Sequence, residues 1–199
     1  MGDLIKQILV LLELIFLFVI VLTAQIMMKI RLAAILPNSN VNGEGLRKVF
    51  FSQGCRHHCQ GCFNQHTWPF NGGKVCDCDQ LVNETLEETY LSGVTFCGGE
   101  PFQQPIPFAY LAKKFKKNEI NIWCFTGYTW EELQDLMKSD GNVKDLLTNL
   151  DVLIDGRFDK TKMNTKDKFP STTNQRVIDV QKSLKIGKVV LWKKQFVLI

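Results

Sequence analysis

At 199 residues, with 45% apolar and 22% charged side chains, the chain has the make-up of one globular domain with a sizeable core. The net charge of +4 is small and spread out. Its one lysine cluster, Lys113, Lys114, Lys116 and Lys117, reads as a solvated helix face, so no nucleic-acid surface is expected. Seven cysteines, an odd number with three bunched together, speak against a disulfide framework and for metal ligation in a reducing compartment.

Residues 1–27 are unlike the rest. From Ile8 to Met28 the only charge is Glu13, and fifteen positions are Leu, Ile, Val or Phe. Such a run has the length and apolarity of a transmembrane helix. Lys29 and Arg31 after it, against Lys6 before it, weakly place the following domain in the cytoplasm. Met27 and Met28 stand just before soluble-looking sequence, so an upstream start assignment is the equal alternative. The division expected is therefore an apolar extension, 1–27, and one domain, 28–199.

From Lys29 onward strands alternate with helices. Ile30–Leu36 reads as a strand ended by the turn composition Pro37-Asn38-Ser39-Asn40, and Leu46–Ser52 as a second strand. Asp79 is expected to cap a helix reaching Leu91, with Gly93 ending it. Val94–Cys97 reads as a buried strand, 106–117 as a helix and Ile120–Phe125 as a strand. Thr129 with Glu132 three residues on is a capping box. A short helix near Val143–Leu150 leads to the strand Asp151–Asp155. The polar stretch 162–174 reads as a surface loop, and 188–199 as a last strand. Strands separated by helices imply an α/β fold with a parallel sheet, open or a partial barrel.

Two constellations carry chemistry. Cys55, Cys59 and Cys62 follow a strand at spacings of four and three, and a short loop of thiolates can aim several soft ligands at one centre. A [4Fe–4S] cube held by three cysteines keeps one iron open for a small molecule. Structural zinc is the alternative, with His57, His58, His66, Cys76 or Cys78 as fourth ligand. The second is Cys97-Gly98-Gly99-Glu100-Pro101, placed at the carboxyl end of a strand, where α/β sheets bind ligands. Glycines there admit a close backbone approach, and the Glu100 carboxylate is expected to accept from an ammonium group. A valine at Gly99 is accordingly expected to spare the metal and weaken ligand binding.

Cys55-x3-Cys59-x2-Cys62 with Gly98-Gly99-Glu100-Pro101 resembles the radical S-adenosylmethionine (SAM) superfamily. Cys62-Phe63-Asn64, Thr67-Trp68, Thr126-Gly127-Tyr128, Asp155-Gly156-Arg157-Phe158 and Asn174-Gln175-Arg176 narrow the likeness to the activases of anaerobic ribonucleoside-triphosphate reductase. The resemblance runs from Met28 to Leu184. It departs from the family at residues 1–27 and at Phe169-Pro170-Ser171, where Arg-Gly-Ser is usual. It implies a partial (β/α) barrel of the small radical SAM type. Cys55, Cys59 and Cys62 would hold a [4Fe–4S] cluster. Gly61, Cys62 and Phe63 would lie against S-adenosylmethionine, and Gly98, Gly99 and Glu100 would meet its amino end. No side chain is implied as general acid or base. The implied partners are the large reductase subunit and a one-electron donor such as a flavodoxin or ferredoxin, with the membrane involved only if the N-terminal segment is an anchor. Another small radical SAM enzyme, such as a deazaguanine-pathway synthase, and a zinc-binding interaction module remain the competing readings.

Overall fold

The computed structural model describes residues 27–166 and 169–193. A seven-stranded sheet forms the centre, built from β1 (Lys29–Ser39), β2 (Arg47–Ser52), β3 (Lys74–Asp77), β4 (Gly93–Gly98), β5 (Ile122–Phe125), β6 (Val152–Asp155) and β7 (Arg176–Asp179). Its order is β3-β1-β2-β4-β5-β6-β7. The helices are α1 (Cys78–Leu86), α2 (Pro105–Lys117), α3 (Trp130–Ser139), α4 (Gly141–Thr148) and α5 (Val180–Ile186). The expected parallel pairing holds for the central strands β2, β4, β5 and β6. At both flanks the pairing is antiparallel, through β1 with β2 and β3, and β7 with β6.

Alternation along each strand sorts side chains to two faces. Phe50, Val94, Phe96, Ile122, Cys124 and Leu153 point to the helical face and join Phe108, Leu111 and Phe115 of α2 in the main core. Phe50 stacks on Phe115 with centroids 5.9 Å apart, and Phe96 tilts against Phe108 at 4.9 Å. Trp123, Val152 and Ile154 point the other way. There they form a small cluster with Phe125, Phe169, Val177 and Trp192, so this face is covered by loop side chains at one end and left open at the other.

Arg47, 1% exposed, opens β2 at the end opposite the cysteines. Its Nε donates to Thr95 Oγ1 (2.8 Å), its Nη1 to Glu44 O (3.0 Å), and its Nη2 to Val94 O (2.6 Å) and to Asn121 O and Oδ1 (2.9 and 3.0 Å). The guanidinium also lies 5.4 Å from the Trp123 ring centroid. One side chain thus ties the starts of β2, β4 and β5. Burial pulls its pKa down to about 9, which leaves it cationic at neutral pH.

Several local expectations change. The helix after β3 begins at Cys78, because Asp77, not Asp79, takes the capping bond from Gln80 N at 3.0 Å, and it ends at Leu86 rather than Leu91. The strand β1 runs through Pro37 to Ser39, since β2 supplies partners as far as Arg47. β3, β7 and α5 are four, four and seven residues long, too short to show a period in the sequence. The capping box at Thr129 forms as expected. Three of the four clustered lysines of α2 make ion pairs: Lys113 with Asp145 (2.6 Å), Lys114 with Asp79 (3.6 Å) and Lys116 with Asp151. The apolar N-terminal stretch up to Ile26 lies outside the described residues. So does most of the last strand, although its start pairs with β7 through Leu191 and Ile178. Among the described residues no helix is long and apolar enough to cross a membrane.

Replacing Arg47 by methionine keeps the aliphatic stem but removes every donor. Oxygens of Val94, Thr95 and Asn121 then each lose a donor, and the fold is expected to weaken by roughly 3 kcal/mol, measured by urea denaturation.

Candidate active site

The strand ends build the site. β2 runs into a loop that folds back on itself: Gly54 N donates to Thr67 O (2.7 Å) and Cys55 N to Trp68 O (3.1 Å). Gln103 and Gln104, just after the Gly98–Pro101 turn, brace that loop from the side. Gln104 Nε2 donates to Arg31 O (2.8 Å) and Gln53 O (2.9 Å), and Gln103 Oε1 accepts from Arg56 N (3.1 Å). In the sequence both glutamines carry no signal beyond adjacency to the glycine turn.

A cavity of about 300 Å³ opens at the carboxyl ends of β2, β4 and β5. Phe51, Cys97 and Phe125, one from each strand, line it on the face opposite the described helices. Cys55, Cys59, Cys62 and Phe63 line it from the loop, and Gly98, Gly99 and Glu100 from the turn. Gly61 stands apart from the lining. It holds φ +76 in the turn between Cys59 and Cys62, and its open side is covered by the Lys160 side chain. Phe63 is 66% exposed and meets Phe158 edge-on at 5.0 Å.

Glu100 is fully buried, and its two oxygens hold four donors. Oε1 accepts from Phe102 N (3.0 Å) and Thr126 Oγ1 (2.8 Å). Oε2 accepts from Gly127 N (2.8 Å) and faces His57 Nε2 at 3.0 Å. A carboxylate has about four lone-pair sites. The carboxylate is therefore saturated by the chain itself and has no room for the ammonium group expected of it. It fastens the cysteine loop, the turn and the end of β5 together. His57 seals this junction, with its ring 4.5 Å from that of Tyr128. A Cβ on Gly127 would stand 2.4 Å from the His57 ring, so only glycine lets the imidazole close down.

Gly99 has a reason to be glycine besides the one expected. A Cβ there would meet Gly54 O at 2.5 Å and Ser52 O at 2.9 Å. Those are main-chain atoms leading into the cysteine loop. A valine would press on the loop that carries the thiols, so iron loading is expected to suffer along with ligand binding at this position.

Asp155-Gly156-Arg157 and Asn174-Gln175-Arg176 meet in a short zipper. Asn174 Nδ2 donates to Arg157 O and Gln175 Nε2 to Gly156 O, both at 2.9 Å. Arg176 Nε and Nη2 donate to the buried Asp155 carboxylate at 3.1 and 2.5 Å, and both its terminal nitrogens to Glu131. These partners push the Arg176 pKa up. The two motifs occur together because each satisfies the other, and they hold a strap whose Gly156, Phe158, Ser171 and Gln175 line the cavity.

The donor set fits an iron–sulfur cube. Cys55, Cys59 and Cys62 are unpaired thiols on one wall of one cavity. Burial pushes the Cys55 thiol up to about 11 and raises Cys59 as well. The proposed fourth zinc ligands go elsewhere. Cys78 sits in the core, Cys76 lies on β3, and His58 stacks on Trp68. His57 does line the cavity, but its Nε2 is committed to Glu100. Among the described residues no three His, Cys, Asp or Glu side chains converge on a single-ion site. A cube asks for something looser, three thiolates each on its own iron.

Fold and site thus define an iron–sulfur protein with a three-cysteine loop above a ligand cavity, and residues 41–178 match the family described as a 4Fe-4S single cluster domain. The chain is 32% identical over 149 residues to the anaerobic ribonucleoside-triphosphate reductase-activating protein of Enterobacteria phage T4, covering 72% of this chain and 90% of that protein. It is 35% identical over 131 residues to the protein of the same name from Haemophilus influenzae, covering 61% and 80%. The chain belongs to the family of anaerobic ribonucleoside-triphosphate reductase-activating proteins. The crystal structure of QueE from Escherichia coli aligns with a TM-score of 0.41 at 18% identity, over 51% of this chain and 54% of that one, too remote to inform the site.

Two outcomes are expected of substitutions here. Alanine at Cys55, Cys59 or Cys62 abolishes iron loading, whereas alanine at Cys76, Cys78, Cys97 or Cys124 leaves the iron content of the reconstituted protein near the parent value. His57→Ala takes one donor from the buried Glu100 carboxylate and frees the loop from the turn. It retains iron but binds S-adenosylmethionine about tenfold more weakly by calorimetry, a change of about 1.4 kcal/mol. Parental affinity in His57→Ala would remove that coupling.

Proposed function

We propose that this chain places a glycyl radical on the large subunit of an anaerobic ribonucleoside-triphosphate reductase. The observation that carries the reading is the convergence of Cys55, Cys59, Cys62 and the Gly98–Glu100 turn on one cavity, in a chain with the relatives named above. When bound, a [4Fe–4S] cluster and S-adenosylmethionine supply the chemistry: one electron splits the sulfonium to methionine and a 5′-deoxyadenosyl radical, which takes hydrogen from a protein glycine.

The chain's own part is to bind, orient and exclude water. Cys55, Cys59 and Cys62 would hold three irons and leave the fourth without a protein ligand. With the Glu100 carboxylate saturated, the main chain of Gly98 and Gly99 is the part of the turn available to the amino end of S-adenosylmethionine. Glu100 positions that main chain. Phe51, Phe125 and Phe63 supply apolar walls that keep water from the reacting atoms. The sheet is read as a partial barrel of the small radical SAM type: β3 stands at one edge, β7 is bridged beyond by Leu191 at the other, and among the described residues the two edges do not meet. A side left open in this way suits a peptide loop as substrate, and the exposed Phe63 beside Phe158 forms an aromatic lip at the cavity. A cytoplasmic setting and an external one-electron donor follow from this chemistry.

The test is an anaerobic mixture of the reconstituted chain, S-adenosylmethionine, dithionite and the large reductase subunit from the same source. The expected product is an organic radical on the reductase by electron paramagnetic resonance, and air then cuts that subunit at one glycine. Formation of 5′-deoxyadenosine with no radical on the reductase would keep the enzyme class and sink the partner.

A further inference from the structure

The cysteine loop has an outer face as well as the one turned to the cavity. Against it lies a second hollow of about 470 Å³, lined by Arg56, His58, Gln65, Trp68, Pro69 and Phe70. Trp68 lines both hollow and cavity, so a single residue, carrying its indole, stands between them. The His58 ring stacks on that indole, with centroids 4.7 Å apart and planes 22° from parallel. His58 holds φ 47, a left-handed conformation seldom adopted by a non-glycine residue. Phe70 is 45% exposed, and the Arg56 guanidinium lies over its ring at 5.4 Å. Among the described residues no carboxylate lines the hollow and Arg56 has no acidic partner.

We propose that this hollow is the docking site of an acidic electron-carrier protein, which delivers the single electron of the reaction through Trp68. The proposal rests on the function read above, in which that electron comes from outside the chain. Transfer between proteins falls steeply with distance, so the donor must seat its redox group close to the centre held by Cys55, Cys59 and Cys62. Trp68 is where outer surface and cavity come together. Electron-transfer encounters are weak and small, which suits a hollow of this size. An aromatic floor supplies the water-excluding contact, and an unpaired cation at its rim attracts and orients an acidic partner. The step is balanced: one electron leaves the donor and arrives at the cysteine-held centre, and no proton moves and no bond changes.

Dithionite, a small reductant, needs no docking site, and that separates the two claims. The reconstituted full chain, Arg56→Glu and Gln65→Glu are each driven by dithionite and by reduced flavodoxin at low ionic strength. 5′-Deoxyadenosine is followed, and flavodoxin binding is measured calorimetrically without S-adenosylmethionine. Both variants are expected to keep the dithionite-driven rate within about twofold. Arg56→Glu is expected to lose about tenfold or more of the flavodoxin-driven rate and a matching share of binding, and the parent to lose rate as salt is added. Flavodoxin-driven rates and binding equal to the parent's in Arg56→Glu overturn the proposal. If Arg56→Glu assembles poorly, Gln65→Glu, nearly isosteric, decides in the same way. A defect seen only when the reductase is present assigns the hollow to the reductase and overturns it too. Failure of the parent with dithionite would instead sink the function itself.

Discussion

The Glu100 carboxylate, buried at the meeting point of three strand ends, is the contact on which the site depends. Its four donors come from the cysteine loop, its own turn and the segment after β5. Burying a carboxylate is costly unless its oxygens are met, and here every lone pair is used. The arrangement tolerates little adjustment. Moving His57, Thr126 or Gly127 leaves a buried charge underbonded, so the loop that bears the thiols is held in register with the turn facing it.

A second buried charge sits at the opposite end of the same strands. Arg47 binds the starts of β2, β4 and β5 through neutral oxygens, where Glu100 binds their ends. Too far apart to pair, the two serve as separate staples on one parallel core. Between them the helical face is filled by phenylalanines and leucines. On the other face Trp123, Phe169 and Trp192 fill one part and leave the rest as the cavity. The pocket exists because, among the described residues, no helix covers this face and the strap stops short of closing it.

The strap shows how a motif can be tied to function and still be explained by packing. Asn174, Gln175 and Arg176 each bond to one of three successive residues, Arg157, Gly156 and Asp155. The mutual satisfaction accounts for the pairing of the motifs, and its effect on chemistry is indirect. It sets where Phe158 and Ser171 stand at the cavity. Phe158 in turn meets Phe63 beside Cys62, so the strap and the cysteine loop are in contact across the cavity.

The chemistry was legible in the sequence because it is local. Three cysteines within eight residues and a glycine pair at a strand end are brought near one another by any fold that keeps those strands adjacent. The alternation of apolar strands and amphipathic helices likewise determined the parallel centre of the sheet. Short elements such as β3, β7 and α5 were not legible, since their pairing partners rather than their own periods make them regular. Nor were the roles of single residues. The sequence shows a glutamate next to two glycines and a histidine between two cysteines. Only the tertiary structure decides that the two face each other at 3.0 Å, that the glutamate's capacity is spent within the chain, and that Gly99 makes room for main chain. Those facts depend on contacts between residues tens of positions apart, and no local pattern encodes which donor a buried oxygen will find.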